Sequence, residues 1–283
     1  MKERQFSLKI TTEGSPMKTI ILMFQLLLLS LSSASVLAEQ TTVVAQTSYH
    51  LIPSKRAGAE VPFWLIAPPN ATHTVILFAG GDGVLDIGTG GIGQHGNFLV
   101  RSSDLFANQG MLVAVIDKPS DRKNLFHFRT TKKHAKDIKA VIMYLKQHYP
   151  DNPIWLVGTS RGTISVANVA ARFHGKAEPA GIVLTSSVTG VSKKKRNTLE
   201  DVDLSAITVP TYIVHNKDDQ CNVSPYDGAK ALMDKLSSVQ VKAFKAFSGG
   251  HSKGDFCKGD SYHGFLGIEK EVVTSITDWI KAH

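Results

Sequence analysis

Several things are scarce in this chain of 283 residues. It has two cysteines, Cys221 and Cys257, and no CxxC pair, so cysteine-rich zinc modules and dithiol redox motifs are excluded. It has eleven histidines but no His-Glu-x-x-His and no tight His/Asp group at ligand spacing, so no metal site is expected. His127 and His134 read as packing or surface residues. The longest apolar run, Ile20 to Leu31, is too short for a comfortable membrane span. Repeats of solenoid period and long low-complexity stretches are missing beyond the first forty residues. Lys and Arg exceed Asp and Glu by eight, but the cations are scattered. The one dense run, Lys193-Lys194-Lys195-Arg196, reads as a solvated loop, so no nucleic-acid partner is expected.

What remains is an ordinary globular composition, 42% hydrophobic and 20% charged. Lys18, the apolar run and the small residues up to Val36-Leu37-Ala38 have the layout of a secretory signal peptide cleaved before Glu39. Met17 is a plausible start, because Met1 to Pro16 looks unlike a signal n-region. Export to the periplasm or the extracellular space is therefore expected, with residues 39–283 as a single domain and no stable membrane insertion after cleavage. An even cysteine count in an exported chain suggests one disulfide, Cys221–Cys257.

Strand-like and helix-like runs alternate, which predicts an α/β fold with a mostly parallel sheet covered on both faces. Strands are expected at Phe63–Ile66, Thr74–Phe78, Leu112–Ile116, Ile154–Val157, Gly181–Leu184, Thr211–Val214 and Val239–Phe247. Pro62 suggests that the first lies near the sheet edge. Helical spacing marks His134–His148, Thr163–Phe173, Pro225–Leu236 and a last helix carrying the stripe Ile268, Val272, Val273, Ile276, Trp279 and Ile280.

The sharpest chemical signal is Trp155-Leu156-Val157-Gly158-Thr159-Ser160-Arg161-Gly162. A buried strand runs through Gly-x-Ser-x-Gly into a helix, the order a nucleophile elbow requires. A serine there needs an acid and then a base later in the chain. Asp219, a few residues after the strand ending at Val214, is preferred to Asp218 as the acid. His263 and His251 both lie between the last strand and the last helix, and His263 is preferred. A Cys221–Cys257 bond would join the acid loop to the base loop. Backbone N–H groups of Gly81, in Ala79-Gly80-Gly81-Asp82-Gly83, and of Arg161 are the candidate oxyanion donors. Gly88-Thr89-Gly90-Gly91-Ile92-Gly93, with Asp117 further on, matches a dinucleotide fingerprint, but it does not follow its strand directly, so no cofactor is expected. Arg101, Asp121, Arg122 and Arg129 either bind an anion or pair with one another, pairing being preferred.

Together with Gly96-Asn97-Phe98-Leu99-Val100-Arg101, Lys118-Pro119-Ser120-Asp121-Arg122 and Tyr262-His263-Gly264-Phe265, these elements resemble the α/β-hydrolase superfamily. The likeness is to small, lid-poor, dienelactone-hydrolase-like exported bacterial serine hydrolases, and runs from about residue 60 to the end. It implies a Ser-His-Asp triad on Ser160, His263 and Asp219, and no large lid. One departure is Ala79-Gly80 where the family usually has His-Gly, which leaves the second oxyanion donor open. The expected activity is cleavage of an ester, thioester or amide in a small molecule or short peptide. The alternative is a non-catalytic protein of the same fold that binds a ligand or partner.

Overall fold

Along the middle strands, successive side chains are buried on opposite sides, and this alternation builds the two layers of the core. The structure, a computed structural model, describes residues 45–191 and 196–283. The expected leader over 1–38 and the lysines 193–195 lie outside the described residues. Val43–His283 forms one compact unit.

The strands are β1 (Gln46–Pro53), β2 (Glu60–Ala67), β3 (His73–Phe78), β4 (Met111–Ile116), β5 (Ile154–Thr159), β6 (Gly181–Thr185), β7 (Thr211–Asn216) and β8 (Lys242–Phe247). They make one sheet in the order β1-β2-β4-β3-β5-β6-β7-β8. β1–β2 and β2–β4 are antiparallel pairs and the other pairs are parallel. The helices are α1 (Phe98–Arg101), α2 (Ser103–Asn108), α3 (Lys132–His148), α4 (Gly162–Ala170), α5 (Tyr226–Lys235) and α6 (Glu269–Ala282).

On one face, Ile76, Phe78, Leu112, Ala114, Leu156, Ile182 and Ile213 pack with Ile138, Val141 and Leu145 of α3, Ile164 of α4 and Leu232 of α5. On the other, Val75, Leu77, Val113, Val115, Val157 and Val214 pack with Phe98, Phe106 and the α6 stripe Val272, Val273, Ile276 and Ile280. Strands covered this way need apolar side chains at every position, hence runs such as Met-Leu-Val-Ala-Val-Ile in β4. The ends of α3 are set locally. The Thr131 hydroxyl accepts the His134 N–H at 3.1 Å, and Lys146 and His148 sit in the last turn, where cations suit the helix dipole.

β2 lies near the sheet edge, as expected, with β1 outside it as the edge strand. Pro62 is tolerated there because its backbone faces the end of β4: its carbonyl accepts the Asp117 N–H at 3.0 Å, beyond the last paired residues Phe63 and Ile116. β1 itself carries no apolar run to reveal it, since Ile52 is its single buried residue. The short helices α1 and α2 also went unforeseen, being too brief to display a helical period.

Candidate active site

Ser160 stands where β5 turns into α4. Its φ is +51°, a left-handed conformation that is strained for a side-chain-bearing residue. The turn holds because its backbone groups are satisfied. Ser160 N–H donates to Thr185 O at 2.9 Å, and Ser160 O accepts the Thr163 N–H and hydroxyl at 3.0 and 2.6 Å. The flanking glycines are required by contact. A Cβ at Gly162 would lie 2.0 Å from Phe78 O, and one at Gly158 would lie 2.7 Å from the Gly162 carbonyl.

Across the sheet edge, Asp219 follows β7. Its Oδ1 accepts the Cys221 N–H at 2.8 Å and its Oδ2 lies 2.8 Å from Nδ1 of His263. Both side chains are buried. Nδ1–H donates to the carboxylate, which leaves the Nε2 lone pair available. Nε2 is buried and, among the described residues, has no hydrogen-bond partner, Ser160 Oγ included, the loose geometry that free enzymes often show. His263 sits in a single 3-10 turn, Tyr262–Gly264, anchored from three sides. Ser261 Oγ accepts the His263 N–H at 3.2 Å, Ser186 Oγ donates to His263 O at 2.7 Å, and Arg101 Nη2 donates to Gly264 O at 2.6 Å. Arg101 is held in turn by Glu269 at 2.9 Å.

The structure thus brings Asp219 and His263 together and leaves the two alternatives elsewhere. Asp218 is exposed and its Oδ2 accepts the Gly249 N–H at 2.8 Å. His251 is exposed and its N–H donates to Leu266 O. A disulfide joins Cys221 to Cys257, and so the acid loop to the base loop. Ser160 and His263 line one cavity of about 530 Å³, together with Gly80, Gly81, Asp82, Asn97 and the segment Cys257 to Asp260. Of the two candidate donors, Gly81, at φ +59°, lines the same cavity as Ser160, and Arg161 follows Ser160 directly as the N-cap of α4.

The histidine missed by the sequence reading is His215, at the end of β7. It is fully buried, its Nε2 lies 3.5 Å from Asp219 Oδ2, and burial lowers its pKa to about 4, so it is neutral at pH 7. Its position i−4 to Asp219 was the available signal. His134 is likewise buried, with its pKa lowered to about 3 by burial first and by Arg129 next.

The remaining charged oddities resolve as structure. Asp121 pairs with Arg56 at 2.8 Å and Arg122 at 3.4 Å, Arg101 with Glu269, and Arg129 has no carboxylate partner among the described residues. Asp117 is not placed to hold a ribose. Its two oxygens accept the Leu85 and Ile87 N–H groups at 2.9 and 3.0 Å and pin the loop that carries the glycine run. Among the described residues, no group of three or more His, Cys, Asp or Glu side chains could hold a metal ion, and no helix is long and apolar enough to cross a membrane.

Residues 87–202 match the family model described as serine aminopeptidase, S33. No curated protein matches the chain. Solved structures with the same fold include a cold-adapted esterase from an Arctic intertidal metagenomic library, at TM-score 0.58 and 18% identity over 83% of this chain and 94% of that one. The dienelactone hydrolase of Anabaena variabilis aligns at TM-score 0.59 and 12% identity, over 84% of this chain and 98% of that one. The acylaminoacyl peptidase of Pyrococcus horikoshii aligns at 0.61 and 11% identity, over 84% of this chain but 41% of that longer one. The chain has the α/β-hydrolase fold.

Proposed function

We propose that the protein is an exported serine hydrolase that cleaves an ester, thioester or amide through Ser160, His263 and Asp219. The observation that carries this reading is the pairing of a strained, cavity-facing Ser160 with a His263 whose Nδ1 is engaged by buried Asp219 and whose Nε2 is free. In the reaction, Ser160 Oγ attacks the substrate carbonyl carbon and its proton passes to His263 Nε2. Asp219 keeps the imidazole in the right tautomer and stabilises its cation. The N–H groups of Gly81 and Arg161 receive the oxyanion, each worth about 3 kcal/mol on the usual mutational scale. The imidazolium then protonates the leaving alcohol, thiol or amine. Water, deprotonated by His263, releases the acid and restores the serine.

The cavity volume suits a small molecule or a short peptide end. The Cys221–Cys257 disulfide fits an oxidising compartment, in keeping with a leader over residues 1–38.

The test is labelling of the purified protein with a fluorophosphonate, read by intact mass, beside Ser160→Ala. One adduct on wild type and none on the variant is expected. A folded wild-type protein that takes up no label would overturn the hydrolase reading in favour of a ligand-binding role.

A further inference from the structure

The proposed mechanism leaves one buried cation unused. Arg129 is 3% exposed, and among the described residues no carboxylate lies within ion-pair distance of it. Asp82 acts on it only at longer range. Burial pulls its pKa down to about 9, so it still carries its charge at neutral pH. A buried charge with no counter-ion is costly, and removing it to water would be favourable unless its hydrogen bonds compensate.

Those hydrogen bonds converge on the turn after β3. Arg129 Nη2 donates to Ala79 O at 3.0 Å and to Gly80 O at 3.4 Å, while Nη1 donates to Ser165 Oγ at 2.8 Å. Arg129 Nε has no hydrogen-bond partner among the described residues. Ser165 Oγ accepts from the guanidinium and also lies 2.9 Å from Nε2 of His134, whose imidazole burial keeps neutral, so this neighbour adds no second charge. Space for the guanidinium comes from Gly83, where a Cβ would lie 2.8 Å from Nη2.

The consequence follows from the trans peptide, in which the C=O of one residue and the N–H of the next point in opposite directions. With the carbonyls of Ala79 and Gly80 turned onto Arg129, the N–H groups of Gly80 and Gly81 turn away from it. Ser160 adjoins this turn: a Cβ at Gly80 would sit 2.9 Å from Ser160 Cβ. Ala79 has no side-chain polar group to brace the turn itself. A cation on the Gly80 carbonyl also polarises that peptide, which makes the Gly81 N–H a stronger donor.

We propose that Arg129 is the positioning residue of the oxyanion hole, aiming and polarising the Gly81 N–H from beneath the turn. The proposal rests on the serine hydrolase reading above. It acts through a backbone group and does not touch substrate, so its signature is a loss in kcat with little change in KM.

The experiment compares wild type, Arg129→Met, Arg129→Lys and Ser165→Ala, each checked for folding by circular dichroism. Each is assayed on a short-chain p-nitrophenyl ester, and a trifluoromethyl ketone serves as the oxyanion-forming inhibitor. Arg129→Met is expected to lower kcat about 100-fold, the usual scale for one lost oxyanion donor, with KM within about threefold and inhibitor affinity weakened in proportion. Arg129→Lys restores the charge and one donor and should recover about tenfold of that loss. Ser165→Ala removes the partner of Nη1, and with it that of His134 Nε2, and should cost kcat about threefold to tenfold; it carries the test if the Arg129 variants do not fold. Folded variants whose kcat and ketone affinity stay within twofold of wild type would overturn the proposal, while Ser160 labelling of the wild type keeps the hydrolase reading standing. A wild type that neither labels nor turns over ester overturns both.

Discussion

The two halves of the site are built by different physics. The half around the proposed nucleophile, Ser160 with the turn at Arg161–Gly162, is set by backbone contact between strands that are buried on both faces. Phe78, Gly158 and Gly162 leave no room for a Cβ, so the elbow has one available geometry. The acid–base half, Asp219 and His263, sits on long loops whose backbone the sheet does not constrain. There the position is held by a covalent bond, Cys221–Cys257, and by polar straps from Ser186, Ser261 and Arg101. Rigidity by packing costs nothing beyond folding the sheet, whereas rigidity by tether depends on redox state and pH. The nucleophile half should therefore fail all at once, and the acid–base half by degrees.

The largest effect should come from Gly162→Ala. Its Cβ would meet the β3 backbone at 2.0 Å, and neither partner can move without breaking the sheet. A loss of about 4 kcal/mol or more, or no soluble folded protein, is expected by denaturant unfolding, with Ser160 labelling abolished. Survival of a normally labelled protein would contradict the account of a backbone-determined elbow.

Next comes the tether. Cys221 and Cys257 are 36 residues apart, so replacing both by serine should lower stability by about 3–4 kcal/mol on the loop-entropy scale. Ester turnover should fall along with stability, and reductant should reproduce both effects on wild type. If the double variant kept wild-type kcat, the polar straps alone would suffice to hold His263.

Smaller for each residue involved, and spread over both halves, is the response to acid. His134 and His215 are neutral when folded, with pKa values lowered to about 3 and about 4 by burial. Unfolded, each takes up a proton near pH 6.5. Below that value the unfolded state binds more protons, so stability is whole above about pH 6.5 and declines by about 1.4 kcal/mol per pH unit per histidine as pH falls toward the folded values. Denaturant unfolding between pH 7.5 and 5 should show this slope, and His215→Gln should remove about half of it. A flat profile would mean that these imidazoles are not held neutral.

The smallest pair of effects separates strap from bystander. Arg101→Ala removes a charged hydrogen bond to Gly264 O and the ion pair with Glu269, and should cost about 2 kcal/mol and lower kcat more than it raises KM. His251→Asn, at an exposed residue that engages the chain through its backbone, should stay within about 0.5 kcal/mol and leave kcat within about twofold. A large catalytic loss in His251→Asn would reopen the choice of base.

Legibility divides along the same line. β5, α4 and Ser160 could be read directly, because Gly-x-Ser-x-Gly between an apolar strand and a helix is a local pattern with a local cause. The α6 stripe was legible for the same reason. Asp219 and His263 could be named only as preferences over Asp218 and His251, since 44 residues separate the partners. Nothing in the intervening sequence records the 2.8 Å contact. β1 escaped notice because its exposed edge needs no apolar pattern, whereas Arg129 was singled out but expected to pair with a neighbouring charge or bind an anion, because its partners, the Ala79 and Gly80 carbonyls, are about fifty residues away and leave no side-chain signal.

By itself, the sequence determined the alternation of strands and helices, the elbow serine and the shortlist of its partners, all of which follow from side-chain periodicity and from backbone sterics within a few residues. Tertiary structure alone decided which carboxylate meets which imidazole, that Asp117 and Arg129 serve backbone loops instead of ligands, and that β1 covers the edge beside Pro62. Those outcomes depend on segments far apart in the chain arriving at one sheet edge, where burial removes water and makes each remaining polar group find a specific partner.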